Sequence, residues 1–220
     1  MSQGTNNGVT TNLTPADYSS EIGRLQFVIN GALSGIRTAM PVKVVAVSNN
    51  GGVSPIGTVD VQPMVSMLDG SGNAWEHGII HNVPYMRIQG GGNAIIIDPV
   101  IGDIGIATVC DRDISTVQKT KKVAAPGSLR KNDMSDMVYL MTIISSVAPT
   151  QYVQFNNTGI TITSPTTVTI NATDIKINGK ITIVGNIETT GTLKNNTKVV
   201  GSTHTHTGVT IGTGITGEPS

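Results

Sequence analysis

Two histidines near the end of the chain, His204 and His206, are the residues whose type and spacing best suit a chemical site. They lie within residues 201–208, where the other residues are glycine, serine and threonine. Alternate residues of an extended strand point to the same face, so the two imidazoles would project together, about 6.5–7 Å apart along the backbone. One chain would supply only half of a metal site in this way.

A three-fold axis would complete such a site with six imidazoles in two stacked rings. Six nitrogen ligands favour octahedral coordination over the tetrahedral arrangement that is usual for structural zinc. The sequence therefore predicts an iron(II) site formed by His204 and His206 of three chains, with nickel and cobalt as alternative metals. Without a trimer, the same residues would be two exposed histidines at a frayed end.

The segment before the histidines has the composition that a trimer would need. The last 65 residues contain none of the aromatic side chains that usually anchor a globular core. From Gln151 onward, apolar side chains recur two residues apart, and turn residues separate the pairs. The pairs are Ile160 and Ile162, Val168 and Ile170, Ile175 and Ile177, and Ile181 and Ile183.

Each pair places two side chains on one face of a short strand. Such strands cannot bury these side chains within one chain, whereas three chains wound around a common axis would bury them and expose threonine, asparagine and lysine. The pattern predicts an intertwined homotrimeric β-helix over residues 151–202, followed by an iron-binding apex over residues 203–220. A single-chain β-solenoid is the alternative, and it would need regular coil lengths that the spacing does not show.

The first 150 residues predict a different architecture. Residues 1–38 predict a polar arm and an amphipathic helix over about 16–38. Residues 39–115 contain five or six short strands with turn signals between them, typical of a small closed β-barrel of the OB-like kind. Residues 116–150 are interpreted as a connector with one further strand near its end. The predicted fold class is mainly β: a helix, an OB-like barrel, and a homotrimeric β-helix with a metal-bound tip.

Other histidines and glycines favour structural roles. His77 and His81 are four residues apart, as in a helical zinc pair, but Gly78 stands where the zincin pattern has glutamate. We expect both in loops or on the barrel surface. The glycine triplet at residues 90–92 is not followed by Lys-Ser/Thr, so it predicts a hairpin loop and not a phosphate-binding loop.

Four aspartates that could form a catalytic pair or a calcium site fit turns and a strand end better; they are Asp98, Asp103, Asp111 and Asp113. Cys110, the only cysteine, is expected to be a small buried hydrophobe, compatible with a reducing cytoplasm. The formal net charge is zero and few aromatics line the predicted barrel strands, so no nucleic-acid partner is predicted. Neither a signal peptide nor a membrane-spanning segment is predicted.

The order of helix, OB-like barrel, aromatic-free β-helix and terminal His-x-His resembles the central baseplate spikes, or membrane-puncturing devices, of contractile-tailed phages. At the residue level the resemblance lies in residues 201–208 and, more weakly, in residues 98–103. It implies a homotrimer in which His204 and His206 of each chain hold a single iron on the axis. It also implies a virion protein at the tail baseplate tip, made in the host cytoplasm and docked on tail hub and baseplate proteins. Sheath contraction would drive it through the host cell (outer) membrane.

Two other functions compete with this one. A trimeric receptor-binding tail fibre or tip protein would also use a trimeric β-helix. A cell-wall hydrolase would need a further domain with a carboxylate or His/Cys site, for which no segment has room. The sequence therefore predicts neither enzyme activity nor a small-molecule substrate.

Overall fold

The computed structural model describes residues 20–69, 71–145 and 147–201, together with Gly208 and Gly212. The chain divides into two compact units, Met1–Pro165 and Thr166–Ser220.

The first described element is the helix α1, Glu21–Ser34. The Ser20 side chain caps it by accepting a hydrogen bond from the Gly23 N–H at 3.0 Å, which satisfies one of the free N–H groups of the first turn. Glu21 places a negative charge in the same turn, where the helix dipole favours it. The helix ends at Ser34, with Gly35 as its C-cap, and β1 starts at Ala39. It is therefore shorter than the helix predicted from the sequence, which extended to about residue 38.

Most of the other regular elements of this unit are short strands. Up to residue 109 they are β1 (Ala39–Ser48), β2 (Thr58–Pro63), β3 (Met67–Leu68), β4 (Ala74–Trp75), β5 (Ile80–Pro84), β6 (Ile88–Gly90), β7 (Asn93–Ile95) and β8 (Ile104–Val109). A short helix α2 (Ser115–Thr120) and a 3₁₀ turn (Met134–Asp136) lead to β9 (Met137–Ile144), β10 (Tyr152–Asn156) and β11 (Gly159–Thr163). The mainly β class predicted from the sequence is confirmed.

Five of these strands form one sheet in the order β5-β2-β1-β8-β9, with every neighbouring pair antiparallel. Its two outer strands also meet. Tyr85, just after β5, forms a parallel bridge with Tyr139 of β9, and the Met86 N–H donates to the Tyr139 carbonyl at 2.8 Å. The sheet thereby curls into a small, partly open five-stranded barrel, with the connectivity of OB-like barrels.

Two details of this barrel differ from the predicted strands. Between β5 and β6 the chain forms no continuous strand: Tyr85 makes an isolated bridge, and β6 begins only at Ile88. The strand predicted near the end of the connector is β9, and it pairs with β8 along its length. The barrel sheet therefore extends beyond residue 115, where the sequence analysis placed the end of the barrel. Its fifth strand, β9, adds inward-pointing side chains to those of the other four strands.

The core lies inside this barrel and follows the period-two alternation of its strands. In β2, Val59, Val61 and Pro63 are buried while the residues between them are half-buried. The buried apolar side chains are Val42, Val44, Val59, Val61, Val83, Tyr85, Ala107, Met137 and Tyr139.

Replacing Gly105 with alanine should break the contact between β8 and β9. A Cβ at this position would overlap the Met141 carbonyl oxygen and the Tyr139 ring. Backbone cannot move away cheaply, so we expect Gly105→Ala to lower the free energy of unfolding by about 2 kcal/mol or more in urea titrations followed by circular dichroism. Gly90→Ala is the matched control, because its Cβ would meet nothing within 4 Å. Equal stability of the two variants would contradict the packing described here.

Candidate functional site

The predicted metal ligands His204 and His206 lie outside the described residues. Among the residues that the structure does describe, no group of three or more His, Cys, Asp or Glu side chains could hold a metal ion. The iron site therefore stays a prediction.

His77 and His81 are not brought together as a ligand pair. His81 lies on the barrel surface, with its Nδ1 2.7 Å from Oδ2 of Asp60. Asp60 also accepts a hydrogen bond from the Asn82 N–H at 2.9 Å. Both contacts lower the pKa of Asp60, and the contact with His81 has the larger effect. The backbone carbonyl of His77 instead accepts a hydrogen bond from the side-chain amide of Gln62.

Asp98 and Asp103, two of the four weighed aspartates, have structural partners. Asp98 forms a bidentate ion pair with Arg87, whose side chain is only 2% exposed; the Arg87 Nη2 lies 2.6 Å from Oδ1 and 2.9 Å from Oδ2. Arg87 also donates to the Ser54 carbonyl at 2.7 Å, and the contact with Asp98 raises the pKa of Arg87. Asp103 closes a turn by accepting from the Val100 N–H at 3.0 Å. Both carboxylates therefore take part in contacts that hold loops.

A pocket of about 290 Å³ lies beside this ion pair. Its walls are mainly apolar and include Ile88, Ile95 and Met141. Ligand sites usually add a few polar groups that orient the ligand. Three charged groups lie in the wall: Arg87 and Asp98 bind each other, and Asp103 accepts from the Val100 N–H, which supports structural roles for all three.

Asp113 belongs to a second ionic cluster. The Arg130 guanidinium lies 3.0 Å from Asp113 and 3.2 Å from Asp136, and both carboxylates are almost fully buried. Hydrogen bonds from the side chains of Ser115 and Ser128, followed by the Ser115 N–H, lower the pKa of Asp113 from 3.8 to about 2. The sequence analysis missed Arg130 and Asp136, because nothing in local spacing indicates a contact across a loop.

Cys110 is half-buried next to this cluster, where a fully buried thiol was expected. Its N–H donates to the Asp136 carbonyl at 2.9 Å. Burial raises the pKa of the Cys110 thiol, so the reactive thiolate is disfavoured.

The hairpin β10–β11 presents an apolar face with nothing packed against it among the described residues. Val153 is paired with Ile162 and Phe155 with Ile160, so all four side chains point to one side. They are between 57% and 75% exposed. The opposite side carries tyrosine, glutamine and threonine. An isolated two-stranded hairpin is marginal in water, so this face needs a partner.

The following segment shows the same lack of intrachain burial. Residues 164–193 contain no helix or strand, and residues 165–200 are all exposed. The side chains of the three pairs predicted in this segment, Val168 to Ile183, are between 52% and 66% exposed. The described part of the second unit does contain one short hairpin, β12 (Lys194–Asn195) with β13 (Lys198–Val199). Across the described residues, no helix is both long and apolar enough to cross a bilayer.

Comparison with known proteins gives one family match. Residues 40–142 match the family model for the phage protein Gp138 N-terminal domain, which is just under half of the chain. The matched range runs from β1 into β9 and so covers the barrel. No curated protein matches the chain. The family match supports a phage structural protein that is related to the tail or baseplate and is a component of the virion.

The lowered pKa of Asp113 predicts a specific loss of stability in acid. A carboxylate with a lowered folded-state pKa contributes stability that is complete above its ordinary pKa of 3.8 and is lost as the pH falls towards 2. Asp113→Asn should therefore be less stable than the parent at pH 7 and lose less stability between pH 4 and pH 2. Urea unfolding at several pH values measures both.

Asp111→Asn is the matched control for this prediction, because it removes the same charge from a side chain that is 88% exposed. We expect it to follow the parent profile. If Asp113→Asn followed the parent as well, the cluster would not contribute to acid sensitivity.

Proposed function

We propose that this chain is the homotrimeric central spike of a contractile phage tail, and that it pierces the host cell membrane mechanically when the sheath contracts. Two observations support the proposal. The barrel matches a phage protein domain, and the segment after the barrel exposes a long series of apolar side chains that a single chain leaves uncovered.

The uncovered apolar series is the observation that carries the proposal. It begins at the apolar face of β10–β11 and continues through the Val/Ile pairs to Ile183. Complete burial of one such side chain contributes about 1.5–3 kcal/mol, so leaving the whole series in water would be costly. Three copies wound around a common axis would turn these faces inward and leave threonine, asparagine and lysine outside.

The same arrangement suits a mechanical task. In an intertwined prism the backbone of residues 167–193, which forms no helix or strand, would find hydrogen-bond partners in the neighbouring chains, and few free strand edges would remain. A rod of this kind resists axial load. The work comes from sheath contraction, and the chain itself catalyses no reaction; its barrel end would dock on tail hub and baseplate proteins.

The apex would be held together by iron. The donors present, two imidazoles per chain at His204 and His206, fit a six-coordinate ion shared by three chains. Such an ion would tie the chains together where a tapering rod has the least apolar contact. Its contribution is structural.

Metal content tests the apex directly. Protein purified without an affinity tag should contain about one-third of an iron per chain by mass spectrometry, since one ion is shared by three chains. Replacing His204 and His206 with alanine should remove the metal and leave the circular dichroism of the barrel unchanged. His77→Ala combined with His81→Ala is the control and should keep the iron. Iron retained after loss of His204 and His206 would contradict the assignment.

A charge on the apolar face of the hairpin should disrupt the trimer. The parent should have a light-scattering mass about three times that of the 22.9 kDa chain. Ile162→Asp places a carboxylate in the proposed interior, where a buried unpaired charge is strongly unfavourable, so we expect monomers. Thr161→Asp, one residue away on the opposite face, should remain trimeric. Monomeric parent protein would overturn the proposed function.

The same pair of variants separates a spike from a receptor-binding fibre. Particles that carry Ile162→Asp should adsorb to host cells as the parent does but fail to release potassium from them after contraction. Particles that carry Thr161→Asp should do both. A loss of adsorption with Ile162→Asp would instead favour a receptor-binding fibre.

A further inference from the structure

Helix α1 exposes a broad apolar stripe that the rest of the described chain does not cover. None of its residues is buried. Ile22, Leu25, Val28, Ile29 and Leu33 are between 45% and 76% exposed. A 14-residue helix is marginal on its own in water, even with its serine cap. Packing against another surface must therefore stabilise it.

The spacing of the stripe indicates what kind of surface covers it. Ile22, Leu25, Ile29 and Ala32 are separated by three, four and three residues, which is the a-d-a-d pattern of two heptads. A seam of this kind packs against another helix, because the side chains of each helix fit into the spaces between the side chains of the other. No charged residue interrupts the seam, and the side of the helix away from the seam carries Phe27, Asn30 and Ser34.

The width of the stripe indicates the number of helices. Isoleucine at a and leucine at d would suit a two-stranded coil if the stripe were narrow. Val28 and Leu33 occupy the flanking g and e positions, which widens the apolar surface beyond an a/d seam. Two helices would leave these side chains in water, whereas in a three-helix bundle each helix contacts two neighbours and covers both flanks.

We propose that α1 packs against the α1 helices of two other copies as a parallel three-helix coiled coil. The partner is thus a second and third copy of this chain. The inference rests on the proposed homotrimer, because three chains wound together would bring their helices into one bundle in the same direction. It adds a second trimerisation element, separate in sequence from residues 151–202 and built from helix packing instead of strands.

Cysteine cross-linking in the full-length chain tests this arrangement. In a Cys110→Ala background, Ile29→Cys places thiols in the seam, and Asn30→Cys places them on the outer side. Disulfides need Cα atoms within about 7 Å, so under mild oxidation Ile29→Cys should form linked dimers at least about tenfold faster than Asn30→Cys. Equal rates in a protein that is still trimeric would overturn the coiled coil while leaving the proposed function intact. A monomeric parent would overturn both.

A pair of charge variants provides a test that does not require cross-linking. Leu25→Glu with Ile29→Glu should lower the temperature at which the trimer dissociates, because it places charges inside the bundle. Asn30→Glu with Ser34→Glu adds the same charge on the outer side and should leave that temperature unchanged. If both double variants dissociated at the parent temperature, the stripe would not join copies of this chain, and a different protein, such as the tail hub, would be its partner.

Discussion

Apolar side chains must leave water, and within the part of the chain that the structure describes only the barrel meets that requirement. The barrel closes around its own core because β5 and β9 meet through Tyr85 and Tyr139. The segment after the barrel has no comparable closure: its isoleucines alternate correctly for a strand face, yet residues 165–200 are exposed throughout. Helix α1 likewise has no buried residue. The proposal of partner copies rests on this contrast and on no single residue.

The barrel is stabilised at its periphery by ionic contacts. Arg87 and Asp98 bind each other almost without solvent, and Arg130 joins Asp113 to Asp136. Removing one partner of such a pair leaves a buried charge, so these contacts specify the positions of the loops more than they add stability. In the proposed spike, a base that transmits force to the rod would need well-defined loops of this kind.

The elements with clear periodicity were predictable from the sequence, and the contacts between distant residues were not. The short strands expected over residues 39–115 include β1, β2 and β8, and the glycine triplet at residues 90–92 predicted the hairpin of β6 and β7. The end of α1 was missed because the apolar spacing continues past Gly35, although the helix stops there. The partners of Asp98 and Asp113 depend on how loops pack, which spacing does not encode. The role of His204 and His206 as metal ligands remains a sequence-based prediction.

A tail rich in β-branched residues also has to avoid wrong pairings. Long exposed strands would pair with any similar edge, and register would be poorly specified. In this tail, glycines separate the apolar pairs. Gly179 and Gly185 are at bends and both adopt a positive φ, 139° and 136°, on either side of the Ile181 and Ile183 pair. An L-residue is strained in that conformation, so each bend is fixed at its glycine. Short segments between fixed bends leave few alternative registers, and a trimer assembled from them would align its isoleucines without a long search.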